Sequence, residues 1–196
     1  MATPPTGEVK RAAPLLSPAR ALDIACGTGR HAIWLYEHGW QVTAVDRDEE
    51  AIARIRGHYP GIDARVIDLE RSPLPMPEAA YDLIVCWLYF QRDLYPAIRA
   101  GLRPGGIAAL SALLQGRFAA NPGELRTYFP GWTLLHEAET ERTCELIVQR
   151  SATVESGKEV QNMARKQVSL NIKNPAVYQA AARLSKLQGP PLRSPF

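Results

Sequence analysis

The sequence predicts a doubly wound α/β fold: a mostly parallel sheet with an antiparallel C-terminal edge strand, followed by a short strand-helix appendage. Three observations carry this. Strand-length apolar runs alternate with helix-period segments across residues 20–113, the pattern of successive βαβ units. The first run empties into Gly27-Thr28-Gly29, where the backbone can turn sharply. Beyond residue 130, two strand-like segments follow one another, which favours an antiparallel edge on a parallel sheet.

In order, residues 20–26 (RALDIAC) read as a short buried strand, and 31–38 as a helix stopped by Gly39 as its C-cap. Residues 40–46 (WQVTAVD) are β-branched, alternate, and end in an acid. That completes one βαβ unit. Residues 47–57 carry Ile52 and Ile55 at a helical interval, and 62–68 (IDARVID) form a third strand candidate. A Pro-rich loop at 72–77 leads to 81–88 (YDLIVCWL), an apolar run suited to a strand covered on both faces. A helix at 95–102 is closed by Arg103-Pro104-Gly105-Gly106 before a strand at 107–113. A short helix at 123–128 and strands at 132–137 and 144–150 complete the sheet, the polar stretch 138–143 separating the last two.

With 196 residues, 46% hydrophobic and 22% charged, the chain fits one globular domain plus an appendage, and collagen-like, mucin-like and fully disordered classes are excluded. The division expected is a lead-in at 1–19, a main domain at 20–150, a linker at 151–162 and a basic tail at 163–196. No apolar run approaches the roughly 18 residues of a membrane-spanning helix, and residues 1–18 lack a segment of signal-peptide length, so a cytoplasmic location is expected. Cys26, Cys86 and Cys144 are odd in number and widely spaced, with no zinc-type cluster, and read as reduced thiols. The net charge of +3 hides an asymmetry: residues 1–150 hold 16 Lys and Arg against 18 Asp and Glu, whereas 151–196 hold 7 against 2. The main body therefore shows no compositional sign of nucleic-acid binding.

Chemistry concentrates where strands end. Asp23 closes a strand and two glycines follow in the turn, so a ligand can approach the main chain closely. Ligands of open α/β sheets bind beyond the carboxyl ends of the strands, where Asp23, Asp46, Asp68 and Cys86 all fall. Asp46 follows Gly27 by about 20 residues, the spacing of a carboxylate that accepts ribose hydroxyls. Each residue alone has a plainer role available: turn glycine, helix cap, loop carboxylate. Their joint order within one βαβ pattern points to a nucleoside cofactor. Residues 27–32 (GTGRHA) also satisfy the alanine-ended dinucleotide fingerprint, so the motif alone leaves an NAD(P)-dependent oxidoreductase open.

Residues 21–45, ALDIACGTGRHAIWLYEHGWQVTAV, resemble the first motif of class I S-adenosylmethionine-dependent methyltransferases, a Rossmann-like family. The resemblance continues through Asp46, Asp68-Leu69, YDLIVCWL and LRPGG, covering about residues 20–150. Within the class, GRHAIWL, HGWQVTAVD and NPGEL resemble small bacterial stand-alone enzymes of the tellurite-resistance type. The resemblance implies S-adenosylmethionine as the only cofactor, held by Asp23, Gly27, Gly29 and Arg30 at its methionine end, with Ala25 and Cys26 also in the cofactor site. It implies Asp46 at the ribose, Arg47, Asp68 and Leu69 at the adenine, and Cys86 beside the sulfonium. Arg30 and Arg47 on solvated helix faces, and Cys86 as a small buried hydrophobe, read equally well. No general base is singled out; His31, Tyr36, Tyr89 and Arg92 are the polar residues nearest the expected mouth. Trp87, Tyr89, Phe90 and Tyr95 either wall an acceptor or form core and lid.

The fourth strand lacks the Asp/Asn-Pro-Pro-Tyr/Phe element of adenine or glutamine amino-methyltransferases, and Cys86 is not preceded by proline as in cytosine-carbon enzymes, which disfavours DNA modification. A small-molecule acceptor is therefore expected, with no membrane and no metal. The tail, 163–187, alternates at Val168, Leu170 and Ile172 and then offers Asn174-Pro175 as a helix start. It resembles the opening of VapB-like ribbon-helix-helix antitoxins, whose second helix is here missing or replaced by Gly189-Pro190-Pro191. A DNA-binding regulator through this tail is the non-enzyme alternative.

Overall fold

In a computed structural model that describes residues 4–152, the parallel half of the sheet is built from β1 (Arg20–Ile24), β2 (Gln41–Asp46), β3 (Asp63–Val66), β4 (Tyr81–Cys86) and β5 (Leu102–Leu113). The C-terminal β6 (Thr133–Glu139) and β7 (Thr143–Gln149) complete seven strands in the order β3-β2-β1-β4-β5-β7-β6. Chain direction reverses only at β7, which is antiparallel to both β5 and β6. Strand order itself reverses between β1 and β4, which are direct neighbours. In open α/β sheets that reversal point opens a crevice.

Period-two alternation explains why both faces are covered. On β4, Leu83 and Val85 pack with Ala21, Leu35 and Ile52, while Ile84 and Cys86 pack with Leu22, Tyr95 and Ile98. The first layer comprises α1 (Gly7–Ala12), α2 (Arg30–Glu37) and α3 (Glu49–His58); α4 (Leu94–Gly101) and α5 (Glu124–Thr127) lie on the second. A strand buried on both faces must be apolar, as β4 is from Leu83 to Cys86.

Two details differ from the sequence reading, and a third removes one of its alternatives. The lead-in is not featureless: α1 and a single 3-10 turn, Ala13–Leu15, bury Val9, Ala12 and Ala13 on the sheet. Arg103-Pro104-Gly105-Gly106 does not stand between helix and strand but lies inside β5 as a bulge. Leu102 pairs with Tyr81, and Ile107 pairs with Leu83, only two residues further along β4. A Cβ on Gly106 would sit 2.9 Å from the Arg103 carbonyl oxygen, so the bulge needs glycine there. The helix after β2 is capped by Asp48, whose carboxylate accepts the N–H groups of Glu50 and Ala51, leaving Asp46 for other work. All three cysteines are free and buried. Among the described residues no helix is long and apolar enough to cross a membrane. The greater part of the expected linker and the whole tail at 163–196 lie outside the described residues.

Candidate functional site

Register brings the ends of four strands level: Ile24 pairs with both Val45 and Cys86, and Asp46 pairs with Val66. The loops after β1, β2, β3 and β4 therefore leave at one height and meet over the reversal point. Ala25 leaves β1 with φ +54°, a conformation that L-residues hold only under local constraint. The Cys26 N–H donates to the Val45 carbonyl at 3.0 Å and the Gly29 N–H to the Cys26 carbonyl at 2.9 Å, which fixes the turn.

Its two glycines serve different ends. Gly27 has φ +54° and nothing within 4 Å of where a Cβ would be, so its backbone faces open space. Gly29 has φ +83°, and a Cβ there would fall 2.7 Å from the Ile55 Cδ1, so it permits close packing of α2 on α3.

Asp46 clamps the loop. Its Oδ2 accepts the Gly27 N–H at 2.8 Å and its Oδ1 the Asp48 N–H at 2.9 Å, each oxygen keeping lone pairs for a ligand. Asp23 is 1% exposed beneath the loop, and its Oδ2 accepts the Ala32 N–H at 3.0 Å, tying the first turn of α2 to β1. Burial pushes its carboxyl up to about 7; the Ala32 hydrogen bond and the Arg30 charge work against this, and Asp46 adds to it.

Two cavities meet at Ala25. One, of about 260 Å³, is formed by the glycine loop with Arg30, His31 and Trp87. His31 is buried, lies edge-on to Trp87 at 5.9 Å, and its Nε2 accepts the Thr6 N–H at 3.5 Å. Burial, helped by the Arg30 charge, lowers His31 to about 4, so near neutrality the ring is uncharged. The other cavity, of about 150 Å³, has Asp46, Arg47, Asp68 and Glu70 at its mouth and Ile67, Leu69, Tyr89 and Phe118 as apolar walls. Tyr89 rests on Phe118 at 5.1 Å; its hydroxyl donates to Gln91, whose amide donates in turn to the Leu69 carbonyl. Glu70 receives both Arg47 and Arg117, bridging the loops after β2, β3 and β5. Asp68 accepts the Glu70 N–H at 3.0 Å and pairs with Arg71.

The predicted Ala25, Cys26, Gly27, Arg30, Asp46, Arg47, Asp68 and Leu69 all line one cavity or the other. Asp23 and Gly29 act from behind the wall. Cys86 is 2% exposed and lines neither; its thiol donates to the Tyr89 carbonyl, burial pushes its pKa up, and Trp87 faces the cavity instead. Of the expected mouth residues, Tyr36 lies against Tyr59 and Gly61, away from the crevice, and Arg92 is bound to Glu124. Phe90 and Tyr95 are core residues that pack on Tyr128. Sequence reasoning missed Thr28, Ile67, Glu70 and Phe118. Glu70 stands two residues from Asp68 and was within reach of the same strand-end argument, whereas nothing local marks Phe118.

A dinucleotide or an adenosyl ligand fits a crevice of this form equally in principle: bare backbone at Gly27, a carboxylate 2.8 Å from it, and a flat apolar slot alongside. Comparison with known proteins bears on the choice. Residues 21–106 match the family model described as "Methyltransferase domain". The chain is 27% identical over 159 residues to Hemagglutinin 1 of Eikenella corrodens, covering 67% of this chain and 49% of that one. It is 28% identical over 153 residues to the "Probable S-adenosyl-L-methionine-dependent methyltransferase TehB" of Haemophilus influenzae, covering 68% and 52%. The crystal structure of TehB superposes with a TM-score of 0.65 at 21% identity, over 74% of this chain and 62% of that one, a likeness of fold. Trans-aconitate 2-methyltransferase of Methylobacterium nodulans is 27% identical over 112 residues, covering 55% and 43%. The chain thus spans about half the length of the curated relatives it matches.

Proposed function

We infer that the chain, which carries the methyltransferase domain of the S-adenosylmethionine-dependent class I fold, binds S-adenosylmethionine across the two cavities and transfers its methyl group to a small-molecule acceptor. The observation that carries a nucleoside ligand is the Gly27–Asp46 clamp, and the match of residues 21–106 to the methyltransferase domain model favours S-adenosylmethionine over a dinucleotide. A glycine backbone facing open space stands beside a strand-end carboxylate, between a slot sized for a flat ring and a pocket with Arg30.

When bound, the cofactor would supply an electrophilic methyl, to whose carbon an acceptor lone pair bonds in line as the carbon–sulfur bond breaks and a neutral thioether leaves. The chain's residues then have three tasks. Asp46 would receive the ribose hydroxyls, and Ile67, Leu69, Tyr89 and Phe118 would hold the adenine in an apolar cavity with Arg47 and Glu70 at its rim. Arg30, at the start of α2, would hold the methionine carboxylate, while Asp23 holds that helix in place. Trp87 and His31 border the methionine-side cavity and exclude water around the reacting sulfur, where alignment rather than a strong base accelerates displacement. The uncharged His31 suits this task, since a cation there would oppose a sulfonium.

A small acceptor is supported by the likeness to a relative named for methylating the small acid trans-aconitate. The test is equilibrium binding of S-adenosylhomocysteine and of NADH to the purified chain. Saturable binding of the first alone is expected, and Asp46→Ala should weaken it by about 1–3 kcal/mol, the cost of charge-assisted hydrogen bonds to ribose. Micromolar NADH binding without a response to S-adenosylhomocysteine would overturn the reading in favour of an oxidoreductase. Release of S-adenosylhomocysteine from S-adenosylmethionine, screened over chalcogen oxyanions, thiols, phenols and amines, identifies the acceptor class.

A further inference from the structure

We propose that Glu8, His136 and Glu145 form a site for a divalent first-row transition-metal ion that clips α1 to the antiparallel half of the sheet. The three come from separate elements, α1, β6 and β7, and their ligand atoms all lie within 4.8 Å of one another. The His136 Nε2 and the Glu145 Oε2 stand 3.4 Å apart. Zinc bonds of about 2.0–2.1 Å in a tetrahedral shell place ligand atoms roughly 3.3 Å apart. That pair therefore already has a ligand separation, and Glu8 closes the remainder by a side-chain rotation. The three side chains are 19%, 30% and 27% exposed, sheltered enough to be held and open enough for an ion to enter. One imidazole with two carboxylates is a donor set for zinc, manganese, cobalt or iron, whereas magnesium and calcium take oxygen ligands alone.

A second, independent observation points to the same spot. The Ser111 hydroxyl is 1% exposed and has no hydrogen-bond partner among the described residues. Ser111 is the register partner of Glu145 on neighbouring antiparallel strands, so the two side chains leave the sheet side by side on one face. That face is the one under α1, because Ile107 and Ala109, which precede Ser111 at alternate positions, pack in one cluster with Val9 and Ala12. Three protein ligands leave a fourth position for water, and water held there gives the Ser111 hydroxyl its missing partner. Arg11, which pairs with Glu8, is 65% exposed and free to swing away. None of these residues lines the crevice at Ala25, so the site stands or falls independently of methyl transfer.

The experiment titrates chelator-treated full-length protein with Zn2+ by calorimetry and with Co2+ by visible absorption. One equivalent should bind at micromolar or tighter affinity with a four-coordinate cobalt spectrum, and Zn2+ should raise the thermal midpoint. Glu8→Gln, His136→Asn and Glu145→Gln should each weaken binding by about tenfold or more. Glu8→Gln, on a surface helix, keeps the test valid if either sheet variant fails to fold. No saturable binding below about 100 μM, or binding that Glu8→Gln leaves unchanged, overturns the proposal.

Discussion

Asp23 joins two neighbouring facts, a buried carboxyl and the main-chain N–H of Ala32 that it accepts. Because burial raises it from 3.8 to about 7, the folded chain keeps a proton that the unfolded chain has already lost across that interval. Its contribution to stability is therefore full below the unfolded value, falls as pH rises towards about 7, and is flat above. Asp23→Asn, which cannot ionise, should remove this fall. The thermal midpoint of the variant relative to the parent should climb between about pH 4 and pH 7 and then level off; parallel curves would show that Asp23 does not titrate there. At this scale the sequence was informative wherever the argument stayed within one βαβ unit: Ala25, Gly27 and Asp46 do meet, because a strand, a turn and the next strand fix their separation. It was silent about Phe118 and about the Glu70–Arg117 bridge, since those loops approach only after the sheet has assembled.

Among the elements, the turn from β1 into α2 carries two distinct demands, and glycine substitutions separate them. Both glycines hold positive φ, so alanine costs about 1–2 kcal/mol at either. Gly29→Ala also drives a Cβ into Ile55, and should lower the thermal midpoint more than Gly27→Ala, at roughly 2–4 °C per kcal/mol for a chain of this size. Affinity for S-adenosylhomocysteine should rank the other way, because the Gly27 Cβ would occupy the open space where a ligand meets the backbone. Thermal unfolding and calorimetry on the two variants check both orders. Element types were legible from periodicity, and every expected strand up to β7 is present. The bulge at 103–106 was not, because Pro-Gly-Gly stops a helix and kinks a strand with the same residues. Nor was α1: a six-residue helix has too few turns to display a period, and its anchor, Val9 on the sheet, is a long-range contact.

For the whole molecule, every residue of the crevice falls between 23 and 118, inside the described part of the chain. A chain ending at residue 152 should therefore bind S-adenosylhomocysteine within about twofold of the full-length protein. A larger loss would mean that the basic tail takes part in the site, and a specific, salt-sensitive DNA complex of the full chain would point to the regulator reading instead. The sequence by itself determined the alternation of strands and helices, the glycine turn and the carboxylate about 20 residues beyond it, because these depend on local periodicity and on covalent distance. Only the tertiary structure decided that Cys86 faces the core while Trp87 faces the cavity, that Phe118 completes the slot, and that α1 lies over His136 and Glu145. Those outcomes depend on which sheet face and which loop each residue is given, and that assignment exists only once the strands have paired and both layers have packed.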